Sequence, residues 1–504
     1  MPFNPGFDDY LSADTTKAYF DEAGTKDDAG FYLLWGDGVR VLGSSASLPR
    51  KQIKARGKTG WVDSALLGGS SLLEYYFIDV GQGDGVLIKT PDFRHILLDA
   101  GYPRKAQPTG KSGADFVDWK FARDYGSATI ALDAMISSHI DWDHYGGLND
   151  LLDVAQTDDL ECASVTIEEF YHSGLAHWQA FPPDAAGLGP FKPHPPSSAT
   201  HWFTRLLGDR ASASAATSGV GPQLKGKWGE FIANVVAAKK ADGTPTDIAR
   251  ISQNTGWLPG FPQGSAVGIR VLGPIEGALG GQPTLLRLDS SQSQNTNGTS
   301  VLLRVDFDKS RTLLTGDLNA AAHRALLSLY AGNERELASD LAKSCHHGSA
   351  DVSFSFLNHV KAACTVISSG DAEGHDHPRP LIVAASGVSG YATFRGDELV
   401  TPLVYSTELA RSIMVGVPES LDATGVGGGL HASAALPKIH VNYKYTPPGA
   451  LSASPGRKAL GRSRVMHKLI YGLVNVRTDG KRFLAATMNE GDDSFSVKHF
   501  ESRF

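Results

Sequence analysis

The stretch SSHIDWDHYGGL, residues 137–148, constrains this chain more than any other part of it. It places His139, Asp141, Asp143 and His144 within six consecutive positions, directly after the apolar run ALDAMI. Such a run predicts a buried strand, and the motif would lie on a tight turn at its end, directly before Gly146-Gly147. Side chains that can each donate a lone pair to a cation, gathered on one turn at the end of a strand, predict half of a metal site.

The composition is that of an ordinary soluble globular protein. The 504 residues are 41% hydrophobic and 20% charged, which is enough for a large core and for more than one domain. A net charge of -7 gives no overall attraction to nucleic acid, so a polyanionic substrate would need a local basic patch or metal ions. The three cysteines, Cys162, Cys345 and Cys364, are odd in number and widely spaced, which favours a reducing compartment. Without a basic-then-apolar leader or a long apolar run, we expect a soluble, cytoplasmic protein with no membrane association.

The pattern of short runs predicts a small module before the main domain. Residues 1–30 are polar and predict a leader, either loop or a short helix followed by loop. Residues 31–70 contain short alternating runs separated by Gly, Ser and Pro, which predict a small β-barrel of tight hairpins. Within them GVRVLGSSAS and TGWVDSALL resemble a bacterial SH3-like domain, which implies an unknown protein partner. Residues 71–504 would form the main domain, with an insertion at about 149–267 that could act as a lid or substrate wall.

Several predicted strands of the main domain deliver a carboxylate or an imidazole where they end. Strand ends of a layered α/β sheet meet along one rim, where sites normally lie. The side chains at those ends are Asp79, Asp99, His139, His172, Asp317 and the pair His346-His347. Two divalent ions about 3.5–4 Å apart need several N and O ligands of this kind, including one carboxylate that can bridge them.

Six motifs occur in order between residues 75 and 380: DVGQGDG, LLDAG, SSHIDWDHYGGL, LLTGDL, HHGS and ISSGDAEGHDHP. Together they resemble the metallo-β-lactamase superfamily and, within it, the hydrolase domain of ComEC-type competence proteins. The tail YGLVNVRTDGK is similar to that of soluble, stand-alone relatives. The resemblance implies an α/β fold, an αββα sandwich of the metallo-β-lactamase type over residues 71–504, with the small β-barrel in front of it.

The resemblance also implies a first metal site in this chain. His139 and Asp141 would bind the first ion, with His172 as a third ligand or, alternatively, as a surface His on a core strand. The family run is HxHxDH, and Asp141 stands where the second His is expected. A carboxylate makes the site harder, so Mn²⁺ or Fe becomes plausible beside Zn²⁺.

A second metal site is implied by the later half of the same run. Asp143 and His144 would bind the second ion together with one of His346 and His347. His346 is favoured because it comes first after its strand, and His347 would then support a ligand. Asp317 would bridge the two ions.

Other polar residues near these motifs are interpreted as helpers. His377, with His375, would bind a substrate phosphate or donate a proton to the leaving group, and a Pro-directed turn is the alternative. Asp79, Asp84 and Asp99 are interpreted as turn residues that support the ligands.

The resemblance implies metal-dependent hydrolysis, with phosphodiester bonds favoured. The protein would be a nuclease or a nucleotide phosphodiesterase, with a nucleic acid or nucleotide substrate and a hydroxide activated by two divalent metal ions and oriented by Asp143. Hydrolysis of another ester, such as a lactone or a thioester, is the alternative within the enzyme class. A degenerate site in a binding or scaffold subunit, for example in a defence system, is the alternative outside it.

Overall fold

The structure is a computed structural model. It describes residues 3–106, 112–180, 187–194, 197–370, 377–407, 412–416, 418–422, 429–432, 434–445, 454–462, 465–470, 473–489 and 494–504. Within these ranges no helix combines the length and the apolar character needed to cross a bilayer.

The strands are labelled here in chain order. They are β1 (Asp9–Tyr10), β2 (Thr15–Tyr19), β3 (Gly30–Leu34), β4 (Gly38–Ser44), β5 (Arg50–Ala55), β6 (Lys58–Asp63), β7 (Leu73–Phe77), β8 (Gly85–Lys89), β9 (His95–Ala100), β10 (Thr129–Ser137), β11 (Ser164–His172), β12 (Phe191–His194), β13 (Ser197–Phe203), β14 (Asp247–Arg250), β15 (Gly268–Gly273), β16 (Glu276–Leu279), β17 (Gln282–Arg287), β18 (Leu302–Phe307), β19 (Ser310–Leu314), β20 (Leu341–Lys343), β21 (Cys364–Ile367), β22 (Thr393–Arg395), β23 (Glu398–Thr401), β24 (Leu403–Ser406), β25 (Ser412–Gly416), β26 (Ser420–Asp422), β27 (Leu430–Ala432), β28 (His440–Tyr445), β29 (Ser454–Ala459), β30 (Val465–Ile470), β31 (Val474–Thr478), β32 (Arg482–Asn489) and β33 (Ser494–Glu501).

The helices are short and lie between these strands. They are α1 (Gly113–Trp119), α2 (Trp142–Asp150), α3 (Val154–Thr157), α4 (Arg210–Thr217), α5 (Gly226–Ala237), α6 (Gln292–Gly298), α7 (Ala320–Leu329), α8 (Phe354–Val360) and α9 (Pro380–Ser389). Single-turn 3₁₀ segments lie at Ser64–Leu66, Arg104–Ala106, Gln253–Thr255, Glu334–Leu337, His346–Gly348, Leu436–Lys438 and Leu460–Arg462, and a π-helical turn at Lys120–Tyr125 continues α1.

Two large mixed sheets face each other. One has nine strands in the order β14-β11-β10-β9-β8-β7-β31-β32-β33, and the other has six in the order β15-β18-β19-β20-β21-β24. Alternation along β7 sends Leu73, Tyr75 and Phe77 toward the second sheet, where they share a buried core with Leu303 and Val305 of β18. The space between the sheets is therefore the central apolar layer of the protein.

Helices cover the outer face of each sheet. Tyr76, the alternate residue of β7, packs in a second core with Val117 of α1, Leu148 of α2 and Phe231 of α5. On the far side, Leu302 and Leu313 pack with residues of α7 and α8 in a third core. The layers run helix, sheet, sheet, helix, which confirms the predicted αββα sandwich.

The N-terminal part forms a separate six-stranded antiparallel sheet in the order β1-β4-β5-β6-β2-β3. Its own core contains Leu11, Phe31, Val39, Ile53 and Val62. Strands β1 and β2 lie in the first thirty residues, where the sequence predicted loop or a short helix. Strand β2 has a mostly polar sequence, and Ala18 is its one buried residue, so it lacks the apolar alternation by which a strand is predicted. Closure of this sheet into an SH3-like barrel, and the division of the chain into domains, stay predictions.

The proposed insertion at residues 149–267 is tied into the main fold. Its strands β11 and β14 extend the nine-stranded sheet in parallel beside β10. Its helix α5 packs on α2, and its strands β12 and β13 belong to a four-stranded sheet with β16 and β17. The lid role of this segment remains a prediction.

A buried arginine joins the N-terminal sheet to the main sheet. Arg477 of β31 is fully buried, and its guanidinium lies 2.7 Å from a carboxylate oxygen of Asp37 and 3.4 Å from one of Glu74. It also donates to the backbone oxygen of Trp35 at 2.6 Å. Burial alone would raise the pKa of Glu74. The positive charges of Arg477 and Lys89 have the larger effect and lower this pKa to about 2.

We expect Arg477→Met to lower the free energy of unfolding by about 3–5 kcal/mol, because Asp37 and Glu74 would remain buried without their shared cation. Urea denaturation at neutral pH measures the change. In the wild type the contribution of Glu74 is present above the ordinary carboxyl pKa and is lost as the pH falls toward about 2. Arg335→Met, at an exposed arginine, is the matched control, and equal stability of the two variants would contradict the role given to Arg477.

Candidate metal centre

Strand ends from both sheets meet at one rim. Strand β10 ends at Ser137, and the N–H of Val301, just before β18, donates to the backbone oxygen of Ser138 at 2.9 Å. In the second sheet the N–H of His346 donates to the backbone oxygen of Gly316 at 3.1 Å. These backbone bonds bring the HIDWDH turn, the TGD turn and the HHG turn together.

Two glycines permit the close packing around this rim. Gly83 of the GQGDG turn has φ +114°, and a Cβ there would lie 1.9 Å from the backbone oxygen of Asp143. A Cβ on Gly147 would lie 2.0 Å from the backbone oxygen of Ala100. Both positions require glycine because backbone of another segment occupies the space of a side chain.

Three donors meet at the centre of the rim, and a fourth, from Asp143, lies beside one of them. The Nε2 atoms of His144 and His347 lie 3.3 Å apart, and they lie 3.3 Å and 3.1 Å from Oδ2 of Asp317. Oδ2 of Asp143 lies 3.5 Å from Nε2 of His347. Donors around a tetrahedral Zn²⁺ at its usual bond lengths are about 3.3 Å apart, so this set fits one divalent ion.

A second group of donors shares Asp317. Nε2 of His139 lies 3.6 Å from Oδ2 of Asp141 and 4.0 Å from Oδ2 of Asp317. His139 is buried, and its Nε2 has no hydrogen-bond partner within the described part of the chain. A buried acceptor nitrogen facing two carboxylates fits a second cation, with Asp317 between the two positions.

Each imidazole is held through its other ring nitrogen. Nδ1 of His144 donates to Oδ2 of Asp99 at 2.9 Å, and Nδ1 of His347 lies 3.2 Å from Oδ1 of Asp84. Nδ1 of His139 lies 3.0 Å from the hydroxyl of Ser138. Contacts of this kind orient a metal-ligating histidine and leave Nε2 free for the ion.

Lys343 neutralises one of the buried carboxylates. Its ammonium is almost fully buried, contacts Asp84 and donates to the backbone oxygen of Gly316 at 3.0 Å. Asp84 lies close enough to His144, His347 and Asp317 to be a ligand itself. The oxygens of Asp84 already face Lys343 and Nδ1 of His347, whereas Oδ2 of Asp143 lies near Nε2 of His347; the supporting role of Asp84 and the ligand role of Asp143 stay predictions.

The pKa shifts in the cluster show that its buried carboxylates are stabilised by neighbouring positive charge. Burial disfavours the charged form of Asp317, but His347 and His144 outweigh it and hold its pKa well below the usual range. Burial likewise opposes protonation of His144, yet Asp317 and Asp99 raise its pKa well above the ordinary value. Several carboxylates in one buried space are stabilised by cations, which divalent metal ions would supply.

Nε2 of His347 lies beside His144 and Asp317, whereas the sequence preference for a metal ligand was His346, which stays a prediction. The two residues have φ +51° and +48°, a left-handed turn that reverses the direction of the chain between them. Nε2 of His346 lies 3.8 Å from Asp317 but faces the amide of Asn297 rather than His144. Their order after the strand could not show which ring turns inward.

His172 lies on the same rim, at the end of β11 and opposite Ser137 in the parallel register. Its Nδ1 accepts a hydrogen bond from the N–H of Gly174 at 3.1 Å, and burial lowers its pKa to about 3. Within the described residues, none of its hydrogen bonds or ion pairs reaches His139 or Asp141. Its role as a ligand remains a prediction.

His377 stands beside the pair of histidines. Its ring centroid lies 5.8 Å from that of His346 and 6.4 Å from that of His347. His375 lies outside the described residues. His377 is therefore close to the cluster without being part of it.

The sequence missed two residues of this site, Asn297 and Lys343. With its amide nitrogen facing the carboxylate, Asn297 donates to Oδ2 of Asp141 at 2.9 Å, and its oxygen lies 3.2 Å from Nε2 of His346. A carboxylate at position 141 thus has a donor beside it. Two sequence features could have indicated these residues: the polar run SQSQNTNGTS before β18 for Asn297, and the lysine in the otherwise apolar β20 for Lys343.

Fold and site together define a candidate dinuclear metal centre at the rim of an αββα sandwich. No family model matches the chain. One stretch of 113 residues is 34% identical to the competence protein ComA of Neisseria gonorrhoeae. The matched stretch covers 22% of this chain and 16% of that protein. The match agrees with the resemblance to competence proteins, and it spans a small part of their length.

Two solved structures are similar to parts of this chain. Tm1679, a metal-dependent hydrolase of the β-lactamase superfamily, has a TM-score of 0.31 and 11% identity over 67% of this chain and 96% of its own. A diphosphatase of the PhnP family has a TM-score of 0.25 and 12% identity over 58% of this chain and 85% of its own. At these scores the similarity carries no argument, and the fold rests on the sheets described above.

We expect Asp84→Asn to weaken metal binding about 10- to 100-fold, because Nδ1 of His347 loses the carboxylate that orients the ring. Competition with a chelator of known affinity measures this, and thermal unfolding shows whether the variant is folded. Asp63→Asn, at an exposed cap in the N-terminal sheet, is the matched control. Unchanged affinity in a folded Asp84→Asn protein would refute the supporting role.

The two adjacent histidines give a second comparison. We expect His347→Ala to lower the metal content by about one ion per chain, because His347 belongs to the four-donor set. His346→Ala should retain its metal, since that ring faces Asn297. Elemental analysis after native purification distinguishes them, and the reverse result would restore the preference for His346.

Proposed function

We propose that this protein is a metal-dependent hydrolase of phosphodiester bonds, a nuclease or nucleotide phosphodiesterase. The observation that carries the proposal is the convergence of His139, His144 and His347 Nε2 atoms on the carboxylate of Asp317. The preference for phosphodiesters rests on the ordered motifs that resemble the ComEC-type hydrolase domain. The partial match to a competence protein agrees with that resemblance.

The donors would hold two divalent ions, one between Asp143, His144 and His347 and one beside His139 and Asp141. Bound there, such ions would lower the pKa of water and stabilise negative charge on a substrate oxygen. Asp317 lies between the two sets of donors and would help to hold both ions. The metals would be Zn²⁺ or Mn²⁺, with Fe possible, because the donor set mixes imidazoles with several carboxylates.

The protein's own residues would supply orientation and proton transfer. Asp143 is deprotonated, because burial is outweighed by the hydrogen bond from His347 and the charge of His144, which lower its pKa. A carboxylate in that state can accept a hydrogen bond from the attacking water and orient it. His377, beside the cluster but outside it, can donate a proton to the leaving oxygen.

We expect Asp317→Asn to lose bound metal and to reduce kcat/KM about 100-fold or more, because the carboxylate shared by both positions is neutralised. Substrates are bis-p-nitrophenyl phosphate and labelled single- and double-stranded DNA and RNA, each with Mn²⁺ or Zn²⁺. Asp289→Asn, at an exposed aspartate on a loop, is the control.

The outcomes separate the candidate functions. Hydrolysis of a lactone or a thioester without cleavage of any phosphodiester would replace the proposed substrate class. Native protein with less than a stoichiometric amount of any transition metal, and with Asp317→Asn indistinguishable from wild type, would defeat the enzyme proposal. A binding or scaffold role would then take its place.

A further inference from the structure

A long stretch between β24 and β31 carries positive charge only. Residues 423–473 contain seven Lys and Arg residues and no Asp or Glu. The seven are Lys438, Lys444, Arg457, Lys458, Arg462, Arg464 and Lys468. Because the whole chain has a net charge of -7, this stretch contrasts sharply with the rest of the protein. A basic segment within an acidic protein is what a polyanionic partner requires.

The basic stretch belongs to an excursion, residues 408–473, that starts at the rim of the metal centre. Strand β24 lies parallel to β21, and β21 lies parallel to β20, the strand that runs into the HHG turn. At the end of β24 the N–H of Thr407 donates to the backbone oxygen of Ile367, the last residue of β21, at 3.1 Å. A Cβ on Gly348 of the HHG turn would lie 2.9 Å from the side chain of the same Ile367. The chain therefore enters the excursion from the same rim as the HHG turn.

The excursion also ends at this rim. It leads into Val474 of β31, which pairs with Phe77, the last residue of β7. The GQGDG turn, which carries Asp84, follows Phe77 along the chain. Between the two ends of the excursion, β25 and β30 form an antiparallel pair. The excursion is thus an arm that is connected to the metal-centre rim at both ends.

The hairpin of β28 and β29 presents the positive charge of this arm to solvent. Lys444 lies on β28, Arg457 and Lys458 lie on β29, and Lys438 ends the 3₁₀ segment just before β28. All four residues are exposed, and none of their side chains forms an ion pair with another residue that the structure describes. Their charges are therefore available to a partner.

The register of the hairpin places cations on both of its faces. Arg457 lies opposite Asn442 and so shares a face with Lys444, because side chains alternate along a strand. Lys458 lies on the other face, together with Tyr443. Each residue of β28 from 440 to 444 is exposed, so both faces are open to solvent. A flat membrane surface meets only one face of such a hairpin, whereas the charged backbone of a nucleic acid can contact both.

We propose that the β28–β29 hairpin binds the phosphate backbone of a polynucleotide through Lys438, Lys444, Arg457 and Lys458. This inference rests on the proposed function, which calls for a phosphodiester substrate at the rim, and it narrows that substrate to a polymer. Lysine and arginine bind phosphates without reading the base sequence. Each such contact releases counterions, so the affinity falls as the salt concentration rises.

The test measures binding of the full, metal-loaded chain to fluorescein-labelled DNA by fluorescence anisotropy, with single-stranded and duplex probes. Phosphorothioate linkages keep the backbone charge and resist cleavage. In the triple variant Lys444→Gln, Arg457→Gln, Lys458→Gln we expect the affinity to fall about tenfold or more, because three phosphate contacts are lost. The slope of log affinity against log salt should become shallower by about 2 to 3 between about 50 and 200 mM salt.

A matched variant separates the hairpin from net charge. Lys26→Gln, Lys54→Gln, Lys309→Gln alters the net charge by the same amount at exposed lysines outside the arm, and it should bind DNA as the wild type does. Thermal unfolding shows whether each variant is folded. If the triple hairpin variant does not fold, the single variants Arg457→Gln and Lys458→Gln decide the question, because each should make the salt slope shallower by about 1.

Cleavage gives a second measurement with ordinary DNA. In the triple hairpin variant, the ratio of kcat/KM for the oligonucleotide to that for bis-p-nitrophenyl phosphate should fall about tenfold, because the small diester has no further phosphates for the hairpin to hold. An unchanged ratio would contradict the inference.

The remaining outcomes separate the inference from the proposed function. A wild type that binds DNA through the hairpin but cuts no phosphodiester would refute the proposed function and support the binding site. A wild type that binds no DNA, or a hairpin variant that binds it as tightly as the control variant, would overturn the inference. Hairpin-dependent binding to phosphatidylserine vesicles without binding to DNA would overturn it in favour of a membrane surface.

Discussion

The buried carboxylate of Asp317 is the group on which the arrangement of this site depends. It is buried and lies within 4.0 Å of ring nitrogens from His139, His144, His346 and His347. An anion in such a place is tolerated only when cations or protonated imidazoles face it. Protonated histidines around Asp317 would supply part of this positive charge, and divalent metal ions would supply the rest.

The position of Asp317 follows from the packing of two sheets. The TGD turn leaves the second sheet, and the HIDWDH turn leaves the first, so their side chains meet only because the two sheets pack face to face. The apolar core between the sheets fixes that packing, because inner side chains of both sheets are buried against each other there. Left-handed φ values at Asp99, His346 and His347 are the local strain that this meeting imposes.

The second layer of contacts explains why so many charged groups are tolerated. Asp99 and Asp84 lie beside Nδ1 of His144 and of His347, and Lys343 neutralises Asp84. The same physical solution recurs far away, where Arg477 stands between Asp37 and Glu74 and joins the N-terminal sheet to the sandwich. In both places a buried charge is tolerated because its partner is buried with it.

The sequence by itself determined the elements of short range. The apolar run before residues 137–148 and the strand that ends there follow from a local pattern that neighbouring residues encode, and the αββα layers were expected from the resemblance that the ordered motifs carry. Only the tertiary structure decided that His347 rather than His346 faces His144, that Asp84 pairs with Lys343, and that Asn297 reaches Asp141. Those contacts join residues far apart in the chain through the meeting of two sheets, and no local pattern carries that information.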